Sequence, residues 1–360
     1  MTTIALRQGR VRTGFRESRA LLLTALAVLV LLVSLAALGL GATGVPLSRT
    51  LSIVADAIMG RTAAMSGDGL IILQVRLPRL LLGLLIGAAL ASSGALMQGL
   101  FRNPLADPGL IGVSAGAALA AATTIVLGDA LLARLIGPLP FTALPIGAFT
   151  GGLLTTLALY VVATRSGRTS IATMLLAGVA FGALSGAVMG LFSYVSDDRQ
   201  LRDLSFWSLG SLSGATWAKT MTVVPFILPT LLAMPFLARG LNALALGEAE
   251  AFHLGVPVQR VKALAILLVA VAVGASVAAA GMIGFVGIVV PHMLRLMAGA
   301  DHRMLLPASA LLGAALLVAA DTVARTVAAP AELPIGILTA AIGAPFFLWL
   351  LLRRPGGMAL

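Results

Sequence analysis

From Ala20 to Gly41 the chain carries no charged residue, and comparable apolar runs recur along most of its 360 residues. Roughly 20 helical residues cross a hydrocarbon layer, so runs of this length dictate a bilayer as solvent before any fold is considered. Composition agrees: 59% of residues are hydrophobic, 10% are charged and the mean hydropathy is +1.07, whereas ordinary globular chains carry about 25% charged residues. Backbone inside a membrane must satisfy its own hydrogen bonds, and these runs lack the two-residue alternation of a barrel strand. The expected fold class is therefore an all-α polytopic membrane protein.

Ten spans are expected: Ala20–Gly41, Leu77–Leu100, Pro108–Leu127, Pro138–Ala163, Ile171–Val195, Met221–Ala238, Ala263–Ala280, Met282–Ala298, Leu305–Val323 and Ile335–Leu352. The eighth is short and carries Pro291, His292 and Arg295 near its end, which leaves a re-entrant segment as its alternative. The first follows an Arg-rich stretch like a signal peptide, but its apolar core exceeds the usual 7 to 15 residues of a cleaved signal and reads as a retained span. Residues 1–19 form an Arg-rich extension, 20–354 a single ten-helix domain with a polar segment at 241–260, and 355–360 a tail.

Basic residues orient the spans. Of 24 Lys and Arg, fifteen fall on the side of both termini, from Arg7 to Arg354, and nine on the other. The richer side is expected to be cytoplasmic. Arg76, Arg79 and Arg325 then stand at the outer mouth against the usual bias. Each alone would pass as a snorkelling anchor. Together, with two of them bracketing Pro78, they suggest a surface that receives something acidic.

Several chemistries are excluded. There is no cysteine, hence no disulfide, thiolate nucleophile or thiolate metal site. His253, His292 and His302 never reach metal-ligand spacing, and no resident metal or cofactor is expected. The two lysines lack a P-loop frame: Ser213 and Ala218 replace both required glycines before Lys219, and Lys262 has no glycine frame at all. No carboxylate lies near the middle of a span, where ion-driven carriers keep theirs; Asp321 and Glu332 flank the outer end of the ninth. Ser92 and Ser185 read as helix-packing groups rather than parts of an intramembrane dyad. A backbone-carbonyl sodium site stays open. What remains is a helical pore whose motor and receptor are other chains, with no nucleic-acid partner. On the cytoplasmic side, LNALALGEAEAFHLGVPVQRVK can form a short helix over Leu244 to His253, ended by Gly255 and reopened at Pro257. It reads as a knob for a partner, or as a solvated loop.

Four stretches carry a family resemblance: RLPRLLLGLLIGAALASSGALMQGLFRNPLADPGLIGVSAGAAL, GEAEAFHLGVPVQRVK, GMIGFVGIVVPHMLRL with GADHRMLLP, and DTVAR followed by AELPIGILTAAIGAPFFLWLL. Over residues 50 to 354 the chain resembles the permeases of binding-protein-dependent type II ABC importers for iron-siderophores, haem and cobalamin. The resemblance implies a homodimer in the bacterial inner membrane with both termini cytoplasmic. Two ATP-binding cassette subunits would hold ATP and Mg below it, and one periplasmic binding protein would dock above. It assigns docking to Arg76, Arg79 and Arg325, since arginine forks engage carboxylates bidentately. It assigns ATPase coupling to Glu248, His253, Leu254, Gly255 and Arg260. A cytoplasmic gate would use Asn103 and Leu105, faced by the turn at Ile171 and Ala172. Met189, Phe192 and Ser193 on the fifth span are candidate pathway residues. MQGLFRNPLADPGLIGVS resembles haem permeases and cobalamin permeases more than most siderophore permeases, which makes haem the leading expected cargo. GLIGV at Gly109–Val113 and GMIGF at Gly281–Phe285 open spans five apart, as an inverted repeat would.

Overall fold

The computed structural model describes residues 2–41, 44–60, 67–128, 143–329 and 331–353. The described residues fold into long helices, with turns between them and a hairpin of two-residue strands. Each of the ten expected spans is a helix: α1 Thr2–Gly39, α3 Gly67–Leu100, α4 Val113–Leu127, α5 Ala143–Ala163, α6 Ile171–Val195, α8 Trp217–Leu244, α10 Val258–Ala280, α11 Val286–Ala298, α12 His302–Val327 and α13 Ile335–Arg353. Among the described residues seven of these are long and apolar enough to cross a membrane, and α4, α11 and α13 are shorter apolar helices. The start expected at Pro138 and the tail at 355–360 lie outside the described residues. The Arg-rich extension is not separate from the first span, since α1 is one helix of 38 residues.

Among the described residues two further helices lie between spans, α2 at Leu47–Ile58 and α7 at Asp198–Leu209. The second is started by a reciprocal capping box: the Asp197 carboxylate accepts from Gln200 N–H and the Gln200 amide oxygen accepts from Asp197 N–H. That pairing satisfies two of the donors every helix start leaves unmatched. A short α9, Glu248–His253, lies in the polar segment between α8 and α10.

The middle of the bundle is α3, 83% of whose apolar window is buried, with α10 and α12 around it; α6 buries only 11% of its window. Close approach of backbones makes this core. A Cβ on Gly87 would collide with Gly313 O of α12, and one on Gly94 with Gly287 O of α11. Without competition from water, such small-residue contacts are what hold membrane helices together. Proline shapes the rest. Pro78 cannot donate a backbone hydrogen bond, and the turn before it, Ile71–Arg76, widens to a π-helix inside α3. Pro235 sits in a 3-10 turn, Met234–Leu237, that bends α8 near its end.

The spans α4 and α11 are short because their entries are not α-helical. A 3-10 turn at Pro108–Ile111 and the left-handed Gly112 (φ 82°) precede α4. Residues 281–285 precede α11 without forming a helix, and Phe285 takes φ 68°. The eighth span thus starts at Val286, not Met282. The two glycine motifs occupy equivalent places, each breaking the chain ahead of a short helix.

Candidate functional sites at the two faces

The arginines expected at the outer mouth are turned into the protein. Arg76 and Arg79 are buried, and Arg325 is half-buried. The Arg79 fork donates to Asp321 from Nε and Nη2 at 2.8 to 3.1 Å and to Glu332 from Nη1 and Nη2 at 2.9 and 3.0 Å. Arg76 donates to Leu38 O at 2.5 Å, with Gly39 O at 3.4 Å, and Arg325 donates to Ala37 O. Those carbonyls end α1, where four acceptors lack helical partners and the dipole is negative. Arg76 and Arg325 therefore cap the first span, and Arg325 Nε stands 3.9 Å from Asp321 Oδ2. An open receiving surface was expected from the sequence, whereas the acids closest to these arginines are the chain's own. Glu332, 37% exposed, is the member of the cluster nearest to solvent. Three guanidinium groups face two carboxylates, so the cluster keeps a positive excess.

At the other face, α9 is an apolar knob. Ala251 is buried while Leu246, Phe252 and Leu254 are each at least 65% exposed, and His253, Gly255 and Arg260 are exposed beside them. Gly255 takes φ +79° with open space around it, which lets the chain reverse into Pro257. The knob is held from behind by Lys262, which is 1% exposed and donates to Glu248 Oε1 at 2.7 Å and Thr169 O at 2.9 Å. Gln259 Oε1 accepts from Thr169 N–H at 3.0 Å. The β1–β2 hairpin, Thr164–Arg165 paired with Arg168–Thr169, is thereby fixed to the knob just before Ile171 and Ala172 begin α6. Sequence reasoning used Lys262 to exclude a P-loop and to orient the spans, and missed this role; a lone lysine between apolar helix positions was the available signal.

The turn at residues 101–107 is ordered by its own side chains. Leu105 N–H donates to Asn103 Oδ1 at 2.9 Å, and Asp107 accepts from Gly109 N–H at 2.6 Å. Above it a polar network crosses the bundle. Arg295 donates to Gln98 Oε1 at 3.2 Å and faces His302 Nε2 at 3.3 Å. Arginine has no acceptor, so Nε2 accepts and the imidazole proton sits on Nδ1, 2.8 Å from Asn242 Oδ1. Asn242 Nδ2 donates to Asp301, which also pairs with Arg19 at 2.8 Å. Burial pushes the Asp301 carboxyl up, but hydrogen bonds from Asn242 and Arg303 N–H together with Arg19 outweigh it and hold the group below the usual carboxylate range.

On α6, Met189 and Phe192 pack against a small cluster of Ala122, Val126 and Leu204 from α4 and α7. Only Ser193 of the three expected pathway residues is exposed, and its hydroxyl donates to Met189 O. The face α6 leaves open is instead carried by Leu184, Leu191 and Tyr194, with Gly182, Gly186 and Gly190 meeting nothing within 4 Å. Inward packing of the larger side chains against α7, a helix not expected from sequence, accounts for the difference.

A broken-helix bundle with an exposed apolar knob between its sixth and seventh spans defines a membrane permease. The chain belongs to the FecCD transport family, which it matches over residues 28–353. It is 50% identical over 285 residues to the hemin transport system permease protein HmuU of Yersinia pestis, covering 78% of this chain and 83% of that one. It is 47% identical over 280 residues to the cobalamin import system permease protein BtuC of Halobacterium salinarum, covering 78% and 73%. A solved metal-chelate type ABC transporter in an inward-facing conformation superposes with a TM-score of 0.79 at 33% identity, covering 92% of this chain and 99% of that one. The fold is that of an ABC importer permease.

Proposed function

We propose that this chain is the transmembrane subunit of an ATP-driven haem importer. Two copies would form the translocation pathway, a periplasmic binding protein would deliver cargo, and two ATPase subunits would drive it from the cytoplasm. The observation that carries the importer reading is the knob at α9: exposed Phe252 and Leu254 on a support clamped by Lys262, in a chain with no nucleotide-binding frame of its own. An exposed apolar patch with a rigid base is what a partner interface requires. Glu248, His253, Leu254, Gly255 and Arg260 would contact the ATPase. The uncovered face of α6 supports a homodimer, whose pathway that face would line. The turn at Asn103 and Leu105 and the start of α6 at Ile171 and Ala172 would form the inner gate. The fifteen-to-nine division of basic residues supports cytoplasmic termini in an inner membrane.

Haem is favoured over cobalamin by the higher identity to the hemin permease; cobalamin is the second reading, and a ferric siderophore the third. Docking is assigned to Arg76, Arg79 and Arg325, where acids on the binding protein would meet the positive excess around Glu332. Proteoliposomes holding this chain with its ATPase and receptor test the assignment. ATP-dependent haem uptake is expected, abolished by Leu254→Asp at the knob and reduced at least tenfold by Arg325→Glu. Uptake of cobalamin or a ferric siderophore alone would overturn the cargo while keeping the importer. Uptake indifferent to Arg325→Glu would leave Arg76 and Arg325 as helix caps and Arg79 as an internal ion pair.

A further inference from the structure

A cleft of about 520 Å³ opens on the side of the bundle between α1, α3, α8 and α12. Its walls are apolar, including Leu23 and Ala27 of α1, Pro235 of α8, and Pro307 and Ala310 of α12. The Ser92 hydroxyl, at its floor, is directed to Leu306 O at 3.5 Å. The cleft exists because two prolines interrupt neighbouring helices there: Pro235 tightens α8 into a 3-10 turn, and Pro307 removes a donor from α12. Leu232 and Phe236, 65% and 86% exposed beside Pro235, place this flank against hydrocarbon.

Its mouth is positively charged. Arg19 lies four residues before Leu23, Arg239 four after Pro235, and Arg303 four before Pro307. Residues four apart share a helix face about one turn of 5.4 Å apart. Because α8 runs opposite to α1 and α12, all three arginines fall at one end of the cleft, the end that carries the α9 knob. Arg239 and Arg303 are exposed, and neither guanidinium has a salt-bridge or hydrogen-bond partner among the described residues. Arg19 is partly exposed and paired with Asp301. An apolar slot in the bilayer flank with cations at headgroup level is complementary to one molecule class: a lipid with an anionic phosphate and a long chain.

We infer that this cleft is a binding site for an anionic phospholipid of the leaflet on the knob side, with an acyl chain in the slot and the phosphate on Arg239 and Arg303. The lipid would brace α8 against α12, next to the Asn242–Asp301–His302 network. Nothing in this assignment depends on the cargo.

Native mass spectrometry of the purified full-length chain tests it, with phosphatidylglycerol and phosphatidylcholine of identical palmitoyl-oleoyl chains as probes. Retention of phosphatidylglycerol is expected to exceed that of phosphatidylcholine by about tenfold or more. Arg239→Gln with Arg303→Gln should remove that preference. Arg165→Gln with Arg168→Gln, an equal charge loss on the exposed hairpin, should leave it intact. Ala27→Trp with Ala310→Trp, filling the slot, should lower retention of both lipids, and correct folding of each variant is checked by its melting temperature. An unchanged preference in the Arg239 and Arg303 variant, or an equal loss in the hairpin variant, would overturn the site. So would a filled slot that dissociates a dimer without changing lipid retention, since the occupant would then be a second copy.

Discussion

Arg79 binds two carboxylates with one fork, and both lie far along the chain: Asp321 is 242 positions away and Glu332 is 253. Removing one partner of a buried ion pair costs about 3–5 kcal/mol because the other charge is stranded. Asp321→Asn strips Arg79 of its better-buried acceptor and Arg325 of its counter-charge. It is expected to lower thermal stability in detergent by about 3 kcal/mol, Glu332 retaining part of the interaction. A melting curve within 1 °C of the parent would show the cluster to be structurally idle. Asp301 makes a pH statement. Its carboxyl is held below its ordinary value, so the stabilisation it brings is present above the unfolded pKa of about 3.9 and is lost as pH falls through the lower folded value. The loss of melting temperature below about pH 4 should be shallower in Asp301→Asn than in the parent. The acids were visible in the sequence as neighbours of an outer helix end, but nothing local says which distant arginine they will meet.

Among the elements, what could be read early was what depends on length and polarity: ten apolar runs became ten helices. α2 and α7 were not read. Asp197 and Gln200 spell a capping box, yet the helix after it has too few apolar residues to register against spans of twenty. The half-unwound entries at 108–112 and 281–285 were legible only as repeated glycine motifs, because hydropathy is blind to whether an apolar segment is coiled. Contacts between glycines decide how α3 seats. Gly94→Ala sets a methyl against the Gly287 carbonyl, backbone on backbone, where neither side can yield. It should cost about 3 kcal/mol, at the upper end of overpacking effects. Gly186→Ala enters open space on α6 and should be neutral or slightly stabilising in the monomer. Parallel thermal melts of the two variants check the contrast; similar melts would mean α3 and α11 are not seated through these glycines.

For the whole molecule, the uneven burial of spans says which surfaces await company. α3, closed on every side, is a spine; α6, open along one face, is an edge. If that face meets a second copy, Gly186→Trp should convert the purified permease from dimer to monomer on light scattering without altering its melting temperature in that monomeric form. A dimer that survives the substitution would place the pairing surface elsewhere. The candidate sites were legible to different depths for the same reason. The knob is contiguous in sequence, and its short helix was expected over Leu244 to His253 although it starts only at Glu248, whereas Met189 and Phe192 share a helix with the open face but pack against α4 and α7, and α7 the sequence had not revealed.

Lys262, sealed beneath the knob, has one further consequence. The chain holds only two lysines, and this one presents no accessible amine while Glu248 and the Thr169 carbonyl cover it. An acylating reagent in the buffer on the knob side therefore meets a shuttered nucleophile, and the rate at which it is tagged becomes a native clock for how often the knob lifts away from the hairpin.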